Sequence, residues 1–336
     1  MTILMTGLCE KGADQIWKQC NDAMYAQGVT WLEEAAYAGD AEAWFFLGHC
    51  YSWGDGAVGF NEKKAYECYL RGASAGSARA VLGALRAGQY DEQMKQSARY
   101  SIEESYRQVR DAAEMGDVYA AWQMGEAVEW EDLADYMPQT ESAREQCLFW
   151  YERAADGGII PAMVKMGKCC QNGTYREKDE KEALRWANQC AASGEVWGLF
   201  QMGEHYRQEE DWEAAFQYDY AAAKQGSSRA MLYLGQMYLN GQGTERDIQA
   251  AVQALEGAAA RNEAESFEEL GNLFYQDELV ERDDEKAFYW YGKAYAAGIK
   301  EAALPLARLY LRPSDEQDTV PVSYTHLRAH ETRSNL

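Results

Sequence analysis

The chain has 336 residues, 47% of them hydrophobic, and a formal net charge of −23. That acidity argues against nucleic acid and anionic membrane surfaces as partners; it permits a basic protein or peptide, and simple solubility accounts for it as well. No run of about 18 apolar residues occurs, so no membrane-crossing helix is expected. The N-terminal MTILMTGLCEKGADQIW lacks the basic start and small-residue cleavage site of a secretory leader, so a cytoplasmic location is expected.

Residues 8–27 read as a first helix, with Trp17, Met24 and Tyr25 on an apolar side, and 29–38 as its partner. Residues 40–75 form a helix pair joined by the long turn SWGDGAVGFN. Residues 77–115 are irregular: the first helix is short, Gly83 is out of phase, and helix resumes over 97–114. Residues 117–157 carry the insertion EDLADYMPQTES, where Pro138 prevents one continuous helix. Pairs follow at 159–193 and 195–225, the latter with the shortest turn, QEEDW. The segments 226–262 and 262–298 are the most regular. Residues 300–311 predict one more helix, kinked by Pro305 near its middle. Residues 313–336 are unrelated to the rest and end in a basic stretch resembling a vector or frameshift product. They are expected to be a disordered or artefactual tail.

One register runs through these segments. Its marks are Gly39, Gly76, Gly116, Gly158, Gly194, Gly226, Asn262 and Gly298, spaced by 32 to 42 residues. Nine residues after most marks stands a small residue, as at Gly48, Gly125, Gly167, Gly203, Gly235 and Gly271, preceded by Leu or Met. Twelve after, an aromatic recurs, as at Tyr51, Tyr206, Tyr238 and Phe274. Eight before stand Trp31, Trp150, Trp186, Tyr218 and Trp290, and eleven before stand Ala65, Ala183, Ala215, Ala251 and Ala287. The small residue at the ninth position lets a neighbouring helix approach, and large residues at helical spacing fill the surrounding space. The mark itself sits where a helix ends, because Gly adopts positive φ cheaply. Asn61 and Asp283 are placed to cap second helices, and Thr244 with Asp247 has capping-box spacing.

The pattern AxxG…A…LGxxY…GxG…KAxxWYxKAAxxG, best read in 226–262 and 262–298, resembles the SEL-one-like repeat (SLR) family, a relative of tetratricopeptide repeats. The resemblance covers about residues 29–311. It implies an all-α, right-handed α/α superhelical solenoid of about eight helix pairs over residues 1–312, acting as an adaptor or scaffold that binds protein. In such solenoids the first helix of each pair lines the concave surface. Positions three, seven, ten and fourteen after the mark share one face of that helix. Read across the repeats, this face offers Phe46, His49, Trp53, Tyr119, Gln123, Trp130, Trp197, Gln201, Tyr233 and Gln236 as groove candidates. Aromatics among amides and charges suit a peptide groove, although packing between repeats would also use them.

Catalytic constellations are not found, and neither metal nor cofactor is expected. The histidines His49, His205, His326 and His330 form no metal-spaced set, and no HExxH or GxSxG occurs. The GxG triplets at Gly54–Gly56 and Gly241–Gly243 lie between helices without a following GK[ST], so they read as turns. The eight cysteines lack CxxC spacing and read as reduced core residues; the adjacent Cys169–Cys170, near Lys165 and Lys168, could also hold a reactive thiol. Two alternatives stay open. Some cysteine-rich members of the family are linked to β-lactam binding or hydrolysis, yet regular Cys pairs and SxxK followed by KTG are missing here. A self-associating structural protein would fill the groove with a second copy.

Overall fold

The computed structural model describes residues 2–18, 22–54, 58–130, 143–276 and 278–311. These form eighteen α-helices and no β-strand among the described residues. The chain divides into two compact units, Met1–Arg246 and Asp247–Leu336. The first holds α1 (Thr2–Trp17), α2 (Asp22–Tyr37), α3 (Ala41–Trp53), α4 (Glu62–Ala75), α5 (Ala78–Arg86), the short α6 (Glu92–Ser97) and α7 (Ile102–Glu114). It continues with α8 (Val118–Glu129), α9 (Ala143–Asp156), α10 (Ile160–Asn172), α11 (Glu180–Ala192), α12 (Val196–Gln208), α13 (Trp212–Lys224) and α14 (Ser228–Asn240). The second holds α15 (Ile248–Ala259), α16 (Ala264–Tyr275), α17 (Asp284–Ala296) and α18 (Ala303–Tyr310). Consecutive helices pack as hairpins within each unit, α3 on α4, α8 on α9 and α12 on α13 in the first, α16 on α17 in the second.

Every mark of the register ends a helix in the left-handed region: the seven glycines have φ between 81° and 104°, and Asn262 has φ 60°. Asn61 and Asp283 cap α4 and α17 by accepting from the Lys64 and Lys286 backbone N–H at 3.0 and 2.9 Å. The Thr244–Asp247 box does not form. Asp247 itself caps α15, accepting from Ala250 N–H at 2.9 Å, in the place that Asp283 holds one repeat later.

The small residue at the ninth position has one dominant task. A Cβ on Gly48 would stand 2.6 Å from the Tyr69 ring, on Gly125 2.8 Å from Tyr151, and on Gly271 2.7 Å from Tyr291. Each tyrosine lies seven residues before its mark, on the second helix, so its ring lies flat over the glycine of the first. At 187 the corresponding residue is Ala, and the Trp197 ring fills the space over Gly167 instead.

Two expectations on element boundaries change. The first helix ends at Trp17, not 27, and the second begins at Asp22, not 29. Gly12 and Gly28 touch backbone to backbone, each barring a Cβ from the other's carbonyl, so the two helices cross closely there. Residues 300–311 are not one kinked helix. Lys300–Ala302 forms a 3-10 turn, and Pro305 sits in the first turn of α18, where its missing N–H breaks no bond. The insertion with Pro138, Gly56, Cys20 and the segment 313–336 lie outside the described residues.

Candidate functional site

The first helices of the first unit are α1, α3, α5, α8, α10, α12 and α14; the ten groove candidates lie on α3, α8, α12 and α14, with Trp130 directly after α8. Along α1, α3 and α8 this face bends inward on itself. The Tyr119 hydroxyl of α8 donates to Asp14 of α1 at 2.7 Å, across 105 residues of chain. Contacts that skip two hairpins are possible only on the inside of a bend.

At the centre of that bend lies Trp17. Its ring centre is 5.2 Å from Phe46, 5.5 Å from His49, 6.2 Å from Tyr119 and 5.7 Å from Trp122. Phe46, His49 and Tyr119 are buried around it and Gln123 is buried against α5, its amide on the Arg79 carbonyl, so none of these four lines an open groove. For the first three the reason is that α1 is itself a first helix, so its large residue fills the hollow its neighbours create. The other six keep surface: Trp53 and Trp130 are exposed, while Trp197, Gln201, Tyr233 and Gln236 are half-buried.

Charged groups stitch the inner face together. Arg79 on α5 pairs with Asp117 and, at 3.6 Å, with Glu42, joining α3, α5 and the cap of α8. Glu129 accepts from the Tyr151 hydroxyl at 2.8 Å and pairs with Lys165 of α10. Gln201 of α12 accepts from Gln171 of α10 at 2.6 Å. Arg207 pairs with fully buried Asp219 and lies 3.7 Å from the Tyr233 ring centre on α14. Burial pushes the Asp219 carboxyl up to about 6, against the opposing pull of Arg207.

Arg86, Trp17 and the Arg207–Asp219 pair were not among the sequence candidates. Trp17 was placed on an apolar side only, and Arg86 ends the one helix whose register is broken. Asp219 did carry a signal: it stands seven before its mark, where Tyr69, Tyr151 and Tyr291 stand in other repeats.

Among the described residues no group of three or more His, Cys, Asp or Glu side chains could hold a metal ion. Seven described cysteines are buried and form no disulfide. Burial raises the thiols of Cys68 and Cys147 to about 12 and also raises those of Cys169 and Cys170. The adjacent pair is thus core filling rather than a reactive thiolate, and the cation beside it, Lys165, is paired with Glu129. Gly54 and Gly241 end α3 and α14 in the left-handed region, as turns do. No described helix is long and apolar enough to cross a membrane.

Comparison with known proteins agrees with this architecture. The Sel1 repeat family model matches residues 23–40, 41–77, 118–159, 160–195, 228–262 and 268–299. An uncharacterized protein of Neisseria meningitidis serogroup B is 28% identical over 156 residues, which are 46% of this chain and 30% of that one. The chain thus spans about a third of that relative's length. Among solved structures, a Sel1 repeat protein from Oxalobacter formigenes superposes with a TM-score of 0.52 at 21% identity, covering 91% of this chain and 86% of its own. A protective antigen of uropathogenic Escherichia coli with an SLR fold gives a TM-score of 0.53 at 19% identity, covering 98% and 75%. At these identities the two structures share the fold.

Proposed function

Because the chain belongs to the Sel1 repeat family, we propose that it is a scaffold that binds a basic protein or peptide along the inner face of its first helices, without catalysis of its own. The observation that carries this reading is the surface of α10, α12 and α14. There Gln201, Tyr233 and Gln236 stay half-exposed beside Lys168 and Glu204, and Trp197, whose ring packs over Gly167, keeps part of its side chain exposed among them. Flat aromatics with amides between them give contact area at low entropic cost and accept a backbone in extended or helical form. The net charge of −23 supports a basic partner. Buried free thiols suit a reducing compartment, which supports a cytoplasmic setting.

Photo-crosslinking residues placed at Gln201 and Gln236, with Glu213 and Lys224 of α13 as controls, test the assignment in cells. Covalent capture of one protein from the inner positions and not from α13 is expected. Capture from α13 alone would overturn the groove.

A further inference from the structure

Three successive first helices end at one place. Trp53 is the last residue of α3, Arg86 the last of α5, and Trp130 follows α8. The Arg86 guanidinium carbon lies 5.1 Å from the Trp53 ring centre and 4.5 Å from that of Trp130. Both indoles nevertheless remain 48% and 59% exposed, although no side chain costs more to leave in water. Beneath them is a cavity of about 20 Å³ reaching Phe45, Tyr69, Gly83 and Gln123. Gln123 is only 6% exposed. Its Nε2 donates to the Arg79 carbonyl at 3.0 Å, and its Oε1 has no hydrogen-bond partner. Glu126 lines the same cavity, 4.0 Å from His49 Nε2.

Two indole faces above a carboxylate and a buried amide oxygen make a receptor for a cation. The ring quadrupoles attract it, and the oxygens accept from its N–H groups. The chain already places a guanidinium, that of Arg86, against both indoles. We propose that Trp53 and Trp130 form a clamp for a lysine or arginine side chain of a basic partner, and that Arg86 occupies this clamp until the partner displaces it. The proposal rests on the groove reading above and names the chemistry at one end of that groove. Charge selects the occupant: a chain of net charge −23 draws cationic segments to its surface. Arg86 then sets a threshold. As a tethered competitor it acts at an effective concentration on the order of millimolar, so a lone cation binds poorly and a multivalent basic segment wins.

The test titrates the full chain with N-acetyl-arginine amide and follows tryptophan fluorescence, with N-acetyl-leucine amide as the uncharged control. Arg86→Ala vacates the clamp, and Arg86→Gln vacates the charge while keeping most of the stem, should the alanine variant fold poorly. Either variant is expected to bind the arginine probe about tenfold more tightly than the unaltered chain. Adding Trp53→Ala and Trp130→Ala should abolish that gain with helical content unchanged. Equal binding by wild type and both Arg86 variants, or a gain that survives loss of both indoles, would overturn the clamp. Crosslinking from Gln201 and Gln236 is read separately, so a lost clamp with retained crosslinks leaves the groove assignment standing.

Discussion

Asp219 shows how one position can depart from its repeat and still pack. Elsewhere a tyrosine covers the glycine of the first helix, and its hydroxyl meets a polar side chain: Ser52 for Tyr69, Glu129 for Tyr151, Asn272 for Tyr291. Over Gly203 the ring is replaced by Asp219 with Arg207, the latter at the position of Ser52 and Glu129. A buried ion pair is fragile to the loss of one partner but replaceable as a unit. Asp219→Ala should therefore cost roughly 3–5 kcal/mol, whereas the double change Asp219→Tyr with Arg207→Ser should stay within about 1 kcal/mol of wild type in urea unfolding. The pH dependence has a definite sign. The folded pKa of about 6 lies above the ordinary carboxylate value near 4, so the folded chain holds this proton more tightly. The stabilisation is full below about pH 4 and is lost as pH rises through about 6. Asp219→Asn should flatten that part of the profile between about pH 4.5 and 7, read as the urea midpoint. The glycine contacts admit a parallel test. Gly125→Ala places a methyl 2.8 Å from the Tyr151 ring, which is held by its bond to Glu129. A loss of about 1–3 kcal/mol is expected, with no matching loss for Gly292→Ala, where a Cβ meets open space.

Helix ends follow local chemistry closely, with one instructive exception. Thr244 and Asp247 have the spacing of a capping box, yet α15 starts only after Asp247. The segment before it is irregular, because Gly241 and Gly243 both take positive φ and the Gly243 backbone lies against the Trp212 carbonyl. A chain pressed there cannot start a helix at once. Asp247→Ala should thus cost about 1 kcal/mol of stability and Thr244→Ala close to nothing, measured by thermal unfolding. In α18 the same logic applies to Pro305, which the first helical turn tolerates and a helix interior would not.

Across the first unit, curvature converts a local pattern into a buried cluster. Trp17 is nearly inaccessible and touches residues of α3 and α8 at once. Trp17→Ala should cost about 3–5 kcal/mol. Because repeats couple mainly to their neighbours, amide exchange should rise in α1, α3 and α8 and fade towards α12. Charge acts over the same range. Binding of a basic partner to so acidic a chain should weaken steeply as ionic strength rises from about 0.05 to about 0.5 M, and surface plasmon resonance would place most of that loss in the association rate.

The repeat period, the helix ends, the close-packed glycines and the capping residues were legible without coordinates, because each answers to a constraint a few residues long. A positive φ needs Gly or Asn. A first N–H needs a nearby oxygen. Helical spacing puts given positions on one face. Of the ten candidates, Trp53 and Trp130 are exposed, and Trp197, Gln201, Tyr233 and Gln236 are half-buried. The burial of Phe46, His49 and Tyr119 was not legible, since it depends on Trp17 arriving from another hairpin. Nor was the meeting of Arg86 with two indoles, which lie 33 residues before it and 44 after. Both follow from how tightly successive hairpins rotate, a quantity summed over many side-chain contacts and carried by no single spacing in the chain.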